Sequence, residues 1–299
     1  MNANTRMQTA ASSDEQNPSS ESSAASAPPS PPALLLTMSE LPRMAGEFSA
    51  LMATWPWLGR LPKGDGHPVL VLPGFTAGDP STLIMRRFLR ELDYQVLPWG
   101  LGTNSGSAWL MPALHRRINA ILKLTDRPFS IVGQSLGGVF ARELARSFPS
   151  HVRSVITLGS PFRTRDGEGT SAMVRSMFER ASIMRPQERA RLGLARDSER
   201  PPAVPCTAIY SRTDGVVAWK LCREPAGPMS ESIEVFGSHT GMSMNPLVFW
   251  LLADRLRQDP ATWQPLDRRA WRRAWLDLLL APVRDAPRLE FMHPLRGGL

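Results

Sequence analysis

One stretch limits the possible folds of this chain more than any other: an apolar run that breaks into glycine, any residue, serine, any residue, glycine. Phe129-Ser130-Ile131-Val132-Gly133-Gln134-Ser135-Leu136-Gly137-Gly138 reads as a strand entering a very sharp turn, so sharp that the next helix must lie back against the strand. Small residues at Gly133 and Gly137 permit that approach, and a serine at the tip stands with its hydroxyl clear of the sheet. The helix that follows is expected to begin Val139-Phe140-Ala141-Arg142-Glu143-Leu144. Ser135 is therefore the candidate nucleophile, with Gly133, Gln134 and Gly137 as its elbow.

A serine hydroxyl attacks poorly unless an imidazole accepts its proton and a carboxylate holds that imidazole in the right tautomer. Both partners follow downstream, in the order Ser, Asp, His. Ala208-Ile209-Tyr210-Ser211-Arg212-Thr213-Asp214-Gly215-Val216-Val217 places an acid just after an apolar strand, which makes Asp214 the candidate orienting acid. Asp-Gly is also a strong turn signal, so a plain turn former is the alternative at that position, with Asp166 and Glu168 as spare acids. Ile233-Glu234-Val235-Phe236 alternates as a short strand, and Gly237-Ser238-His239-Thr240-Gly241 then sets a histidine in a small-residue loop. His239 is the candidate general base. Of the other histidines, His67 opens a strand, His115 sits in a helix, His151 follows one, and His293 lies near the end.

Strand and helix patterns alternate along the chain, which implies an α/β fold: a mostly parallel sheet of about six or more strands with helices on both faces. Strands are expected at 69–72, 94–99, 129–133, 154–158, 206–211 and 232–236. One helix starts at Asp79-Pro80-Ser81, and others span 107–124 and 246–256. Sites in such sheets gather beyond the carboxyl ends of the strands, where Phe75, Ser135, Asp214 and His239 all fall.

Over residues 64–256 the chain resembles the α/β-hydrolase superfamily, and within it the lipase and esterase branch. His67-Pro68-Val69-Leu70-Val71-Leu72-Pro73-Gly74-Phe75 looks like the family's strand and oxyanion loop. Many relatives carry a histidine just before that glycine; here it is Pro73, which has no N–H to give. The resemblance thus carries the oxyanion donors onto the backbone N–H groups of Phe75 and Leu136. It gives Gly159-Ser160-Pro161 a structural part only. It also implies cleavage of carboxylic esters, most simply lipid or other acyl esters, through an acyl-enzyme on Ser135. An acyltransferase or thioesterase would use the same residues. From another class, a membrane-associated binding protein with a vestigial triad is the alternative, although Ser135, Asp214 and His239 are all retained. Residues 162–203 stand where the family carries its lid, and an expected helix at 171–183 with Met173, Val174, Met177 and Phe178 suits an adaptable apolar acyl site. A surface excursion without gating is the other outcome.

With 299 residues and 42% hydrophobic content, the chain has ample material for one catalytic domain, placed at 64–258. The net charge of +8 is nearly all arginine, spread along the chain rather than clustered, so no nucleic-acid partner is expected. Cys206 and Cys222 are expected to be reduced, and the histidines lack metal-ligand spacing, so neither metal nor cofactor is expected. Residues 1–32 are rich in Ser, Ala and Pro and are expected to be disordered. They do not read as a secretory signal, and no apolar stretch reaches membrane-span length, so a cytoplasmic location is expected. An amphipathic helical segment is expected at 33–63, where Met44, Phe48, Leu51, Met52 and Trp55 recur at helical spacing before Pro56 breaks the run. At 259–299, Arg268, Arg269, Arg272 and Arg273 alternate with Trp271, Trp275, Leu278 and Leu279 in a basic amphipathic helix and tail. Both ends are expected to pack on the domain or, alternatively, to touch a membrane peripherally. The expected partner is a small-molecule or lipid ester substrate; oligomeric state is left open.

Overall fold

In the first strand Val69 and Val71 face one way, Leu70 and Leu72 the other, and all four are buried. Only a sheet covered on both faces buries a strand in this way. The computed structural model describes residues 29–107, 109–163, 169–172, 200–267, 269, 271–273 and 276. Within them six strands pair in parallel: β1 (Pro68–Leu72), β2 (Gln95–Leu97), β3 (Phe129–Gln134), β4 (Val152–Leu158), β5 (Cys206–Tyr210) and β6 (Ser230–Glu234). Their spatial order is β2-β1-β3-β4-β5-β6. The fold is therefore the α/β architecture that the strand and helix alternation implies.

Six α-helices are described: α1 (Leu34–Met38), α2 (Glu40–Leu58), α3 (Leu83–Glu91), α4 (Leu110–Leu122), α5 (Leu136–Ser147) and α6 (Pro246–Leu256). On one face Leu51 of α2, Phe88 of α3 and Phe249 of α6 pack with Val71, Val132, Ile156 and Ile209 from the sheet. The other face pairs Leu114 and Ile118 of α4 and Phe140 and Leu144 of α5 with Leu70, Leu72, Ile131 and Val155. The alternation of these residues along each strand is the period-two pattern that assigns them to opposite layers.

Several boundaries differ from expectation, each for a local reason. Helix α5 begins at Leu136, three residues before the expected start, because the turn at Ser135 passes directly into helix through glycines packed on β1 and β3. Strand β6 runs from Ser230 to Glu234, two residues upstream of the expected span, and Phe236 beyond it is 72% exposed. Pro56 does not end the preceding helix. Helix α2 runs on to Leu58, whose buried side chain anchors the last turn, and Gly59 N–H donates to Trp55 O at 3.0 Å. The expected apolar stripe packs only in part: Leu51 is buried and Trp55 lies on the core, but Phe48 and Met52 are exposed, and Glu40, Thr54 and Leu58 are buried as well. Cys206 and Cys222 are both buried and free.

The helical core of the expected lid and most of the C-terminal helix lie outside the described residues, as do residues 1–28 and the spare acids Asp166 and Glu168. Of the C-terminal segment, Trp271 is described and packs on Trp250 of α6, with ring centroids 5.2 Å apart and planes tilted by 46°. Among the described residues no helix is long and apolar enough to cross a membrane.

Candidate active site

Ser135 joins β3 to α5 with φ 51° and ψ −121°. A non-glycine residue holds such a backbone only where its surroundings impose it. Here close approach does so. A Cβ at Gly133 would lie 2.5 Å from Gly137 O, one at Gly137 2.5 Å from Leu72 O, and one at Gly138 2.0 Å from Ser160 Oγ. Glycine at all three lets the start of α5 cross the carboxyl ends of β1 and β3, and Gly138 is as tightly enclosed as the two within the sequence motif. Ser135 N–H donates to Leu158 O at 2.8 Å, which pins the turn to β4.

The structure brings Asp214 and His239 to this serine. Ser135 Oγ lies 3.0 Å from His239 Nε2, and His239 Nδ1 lies 2.7 Å from Asp214 Oδ2. Asp214 is buried, and its other oxygen, Oδ1, accepts from the N–H groups of Val216 at 2.8 Å and Val217 at 2.7 Å. The backbone thus sets the carboxylate's rotation and leaves Oδ2 for the imidazole. An imidazole that donates from Nδ1 to a carboxylate presents Nε2 as an acceptor, the tautomer that a general base toward Ser135 needs. Burial works against protonation of His239, but the contact and hydrogen bond to Asp214, and then the charge of Glu40, outweigh it. The imidazole pKa is consequently held above its ordinary 6.5.

Two further groups flank the nucleophile. Leu136 opens α5, where a backbone N–H has no acceptor within the helix. Phe75 follows Gly74, at which a Cβ would stand 3.4 Å from Ser135 Cβ, so this loop passes alongside the serine. Asn104, fully buried, holds the loop in place. Its backbone N–H donates to Ala77 O and its carbonyl accepts from Thr76 N–H, both at 2.8 Å; its side-chain Nδ2 donates to Pro73 O at 2.9 Å. Thr76, like Ser135, is a non-glycine residue at positive φ, 61°. Sequence inspection passes over Asn104, whose setting in Thr103-Asn104-Ser105-Gly106 signals only a turn. Gly159 also has a role beyond structure in general: at φ 56°, a Cβ there would come within 3.1 Å of His239 Nδ1 and 3.3 Å of Asp214 Oδ2.

A second set of the same residue types occurs at the opposite end of the sheet. Asp65 Oδ1 lies 2.5 Å from His67 Nδ1, His67 Nε2 lies 2.9 Å from Ser130 Oγ, and Ser130 Oγ is also 2.9 Å from Ser154 Oγ. His67 and Ser130 are both fully buried, and Ser130 lies within strand β3, where the register against β4 shifts between Phe129 and Ser130, rather than on a turn. Burial, with the charge of Arg153, depresses the His67 pKa despite Asp65. A substrate has no approach to Ser130, so this relay ties strands together. Hydrogen-bond order alone does not distinguish the two sets; the strained turn and its place at the carboxyl ends do.

The family model for the alpha/beta hydrolase fold matches residues 68–183. No curated protein matches the chain. Among solved structures, the metagenome-derived lipolytic enzymes LipS and LipT are represented at 15% identity, over 66% of this chain and 96% of that one, with a TM-score of 0.48. An alpha/beta superfamily hydrolase from Oenococcus oeni PSU-1 aligns at 17% identity over 65% and 94%, TM-score 0.46. Lipase B from Aspergillus fumigatus aligns at 18% identity over 70% and 56%, TM-score 0.45.

Proposed function

Taking the α/β-hydrolase fold as the premise, we propose that this chain is a serine hydrolase of carboxylic esters, with Ser135 as nucleophile, His239 as general base and Asp214 as the acid that orients it. The observation that carries this is the 3.0 Å approach of His239 Nε2 to Ser135 Oγ on a strained turn, with Asp214 behind the imidazole. His239 takes the hydroxyl proton as Oγ attacks the acyl carbon, and Asp214 steadies the imidazolium that results. His239 then returns the proton to the leaving alkoxide, and the acyl group stays on Ser135. Water attacks the acyl-enzyme in the same way, His239 accepting its proton and then returning it to Ser135 Oγ as the Oγ–acyl bond breaks and the carboxylic acid leaves.

Negative charge on the carbonyl oxygen of each tetrahedral intermediate is met by the N–H groups of Phe75 and Leu136. In sites of this kind one such donor lowers the barrier by about 3–4 kcal/mol. The substrate half of the proposal is an apolar acyl chain, as Met173, Val174, Met177 and Phe178 of the 162–203 segment suggest. The test is twofold. A fluorophosphonate should label Ser135 in folded protein and fail to label Ser135→Ala; absence of labelling would sink the enzymatic reading. Rates across p-nitrophenyl esters should rise with chain length, and a preference for acetyl would overturn the acyl-chain assignment.

A further inference from the structure

Helix α2 turns a polar face, not its apolar one, toward the loops that carry Asp214 and His239. Glu40, buried at 6% exposure, accepts three backbone hydrogen bonds. Its Oε1 takes Gly215 N–H at 2.8 Å and His239 N–H at 3.0 Å, and its Oε2 takes Thr240 N–H at 3.0 Å. One carboxylate is therefore shared by the residue after the acid, by the base itself, and by the residue after the base. Neighbours on the same face add to the grip: Arg43 Nη1 donates to Thr213 O at 2.6 Å, and Glu47 Oε1 accepts from Ser238 N–H at 2.6 Å. From α1, Thr37 Oγ1 donates to Gly215 O at 2.6 Å.

The fit leaves no room for larger residues. A Cβ at Gly215 would stand 2.4 Å from Leu36 O, and one at Gly241 2.0 Å from Glu47 Oε2. Neither glycine is among the residues at positive φ, so each serves close approach rather than a turn. Gly215 in the Asp-Gly pair is the seat of the N-terminal helices.

We propose that Glu40 is a positioning residue of the acyl-transfer site, joining the Asp214 loop to the His239 loop and so setting how the imidazole meets Asp214 and Ser135. This rests on the ester-hydrolase reading for its kinetic consequence, though not for its effect on His239. Among the described residues the loops are also tied by the hydroxyls of Ser211 and Thr213 on Gly237 O, at 2.7 and 3.0 Å, and by Arg43 Nη1, which reaches both Thr213 O and Gly237 O. They attach two residues before His239 and leave its own N–H unaddressed. Charge acts in the same direction as geometry. Facing the His239 loop are Asp214 from the β5 side, Glu40, Arg43 and Glu47 from α2, and Ser135 from the elbow. Burial raises the Glu40 pKa, but its three N–H donors and His239 outweigh this and hold it below 4.5. It is thus an anion wherever His239 titrates, and it favours the imidazolium that forms as Ser135 attacks.

The test compares Glu40→Gln and Glu40→Ala with wild type and with Met52→Ala, a change on the exposed side of the same helix. Glu40→Ala should lower kcat by up to about 100-fold, the scale of a small misplacement of a reacting group, with KM little changed. Glu40→Gln should lose less, since its amide oxygen still accepts from Gly215 and His239. Both should move the His239 midpoint to lower pH, in the kcat/KM profile and in an NMR titration of the imidazole, while Met52→Ala matches wild type. An unchanged midpoint with kcat within twofold of wild type in Glu40→Ala would overturn the proposal. If that variant does not fold, the same result in Glu40→Gln does so. Because NMR follows His239 without turnover, failure of Ser135 labelling would remove the ester reading and leave the Glu40 test standing.

Discussion

Replacing Asp214 by asparagine changes one oxygen for an amide nitrogen, and the structure dictates where that nitrogen goes. Oδ1 accepts from Val216 and Val217 at 2.8 and 2.7 Å, whereas Oδ2 meets His239 Nδ1 at 2.7 Å. The amide oxygen must stay with the two backbone donors, because the flipped rotamer would leave both buried N–H groups without an acceptor, at about 1–3 kcal/mol each. The amide nitrogen then faces Nδ1 and donates to it, so the ring proton moves to Nε2. That atom lies 3.0 Å from Ser135 Oγ and can no longer accept the hydroxyl proton. A wrong tautomer in a triad of this kind costs about 10⁴-fold in kcat, or about 5.5 kcal/mol of barrier. The assay is kcat on a p-nitrophenyl ester together with the fluorophosphonate labelling rate of Ser135, with circular dichroism to confirm the fold. An Asp214→Asn protein that keeps more than a tenth of wild-type kcat would refute this reasoning and return Asp166 and Glu168 to consideration.

Three further outcomes follow from the same geometry. The base must be neutral to act and His239 has a raised pKa, so kcat/KM should fall as pH drops through a midpoint above 6.5; a midpoint below 6.5 in a full pH profile contradicts the Asp214 contact. Asn104→Ala removes the side-chain bond to Pro73 O and should cost up to about 100-fold in kcat by loosening the Phe75 loop, while Ser135 labelling by a small probe persists; wild-type kcat would detach Asn104 from the site. Arg142 and Glu224 form a buried ion pair that links α5 to the segment before β6, and Arg142 also lies 3.9 Å over the Phe162 ring. Glu224→Ala removes the buried anion opposite that guanidinium, which keeps its bond to Arg200 O at 3.0 Å, and should lower unfolding free energy in urea by about 3–5 kcal/mol; a loss under 1 kcal/mol would show the pair to be dispensable.

Periodicity and punctuation along the chain account for the alternation of strands and helices, for the elbow at Ser135, and for Asp214 and His239 at the ends of their strands. These are local properties. A period-two apolar run, or a serine flanked by glycines, carries its meaning within a few residues. The errors are local as well: Pro56 did not end α2, since the burial of Leu58 and the bond from Gly59 outweigh one missing N–H. Of the apolar stripe on α2, Leu51 and Trp55 pack on the core, yet Phe48 and Met52 are exposed.

The order Ser, Asp, His and the enclosed turn were thus determined by the sequence itself, because sterics at glycine and the strand-to-helix pattern are written in neighbouring residues. Only the tertiary structure decided which serine, histidine and aspartate meet on the strained turn, since Asp65, His67 and Ser130 make the same hydrogen bonds at the amino ends of the strands, with His67 and Ser130 fully buried. It alone also revealed Asn104 and Glu40, and the closeness of Gly159 to His239 and Asp214. The reason is the same in each case: these residues act on backbone N–H and C=O groups or on empty space. Every residue carries nearly the same backbone, so a carboxylate that reaches His239 across 199 positions leaves no mark in either local sequence.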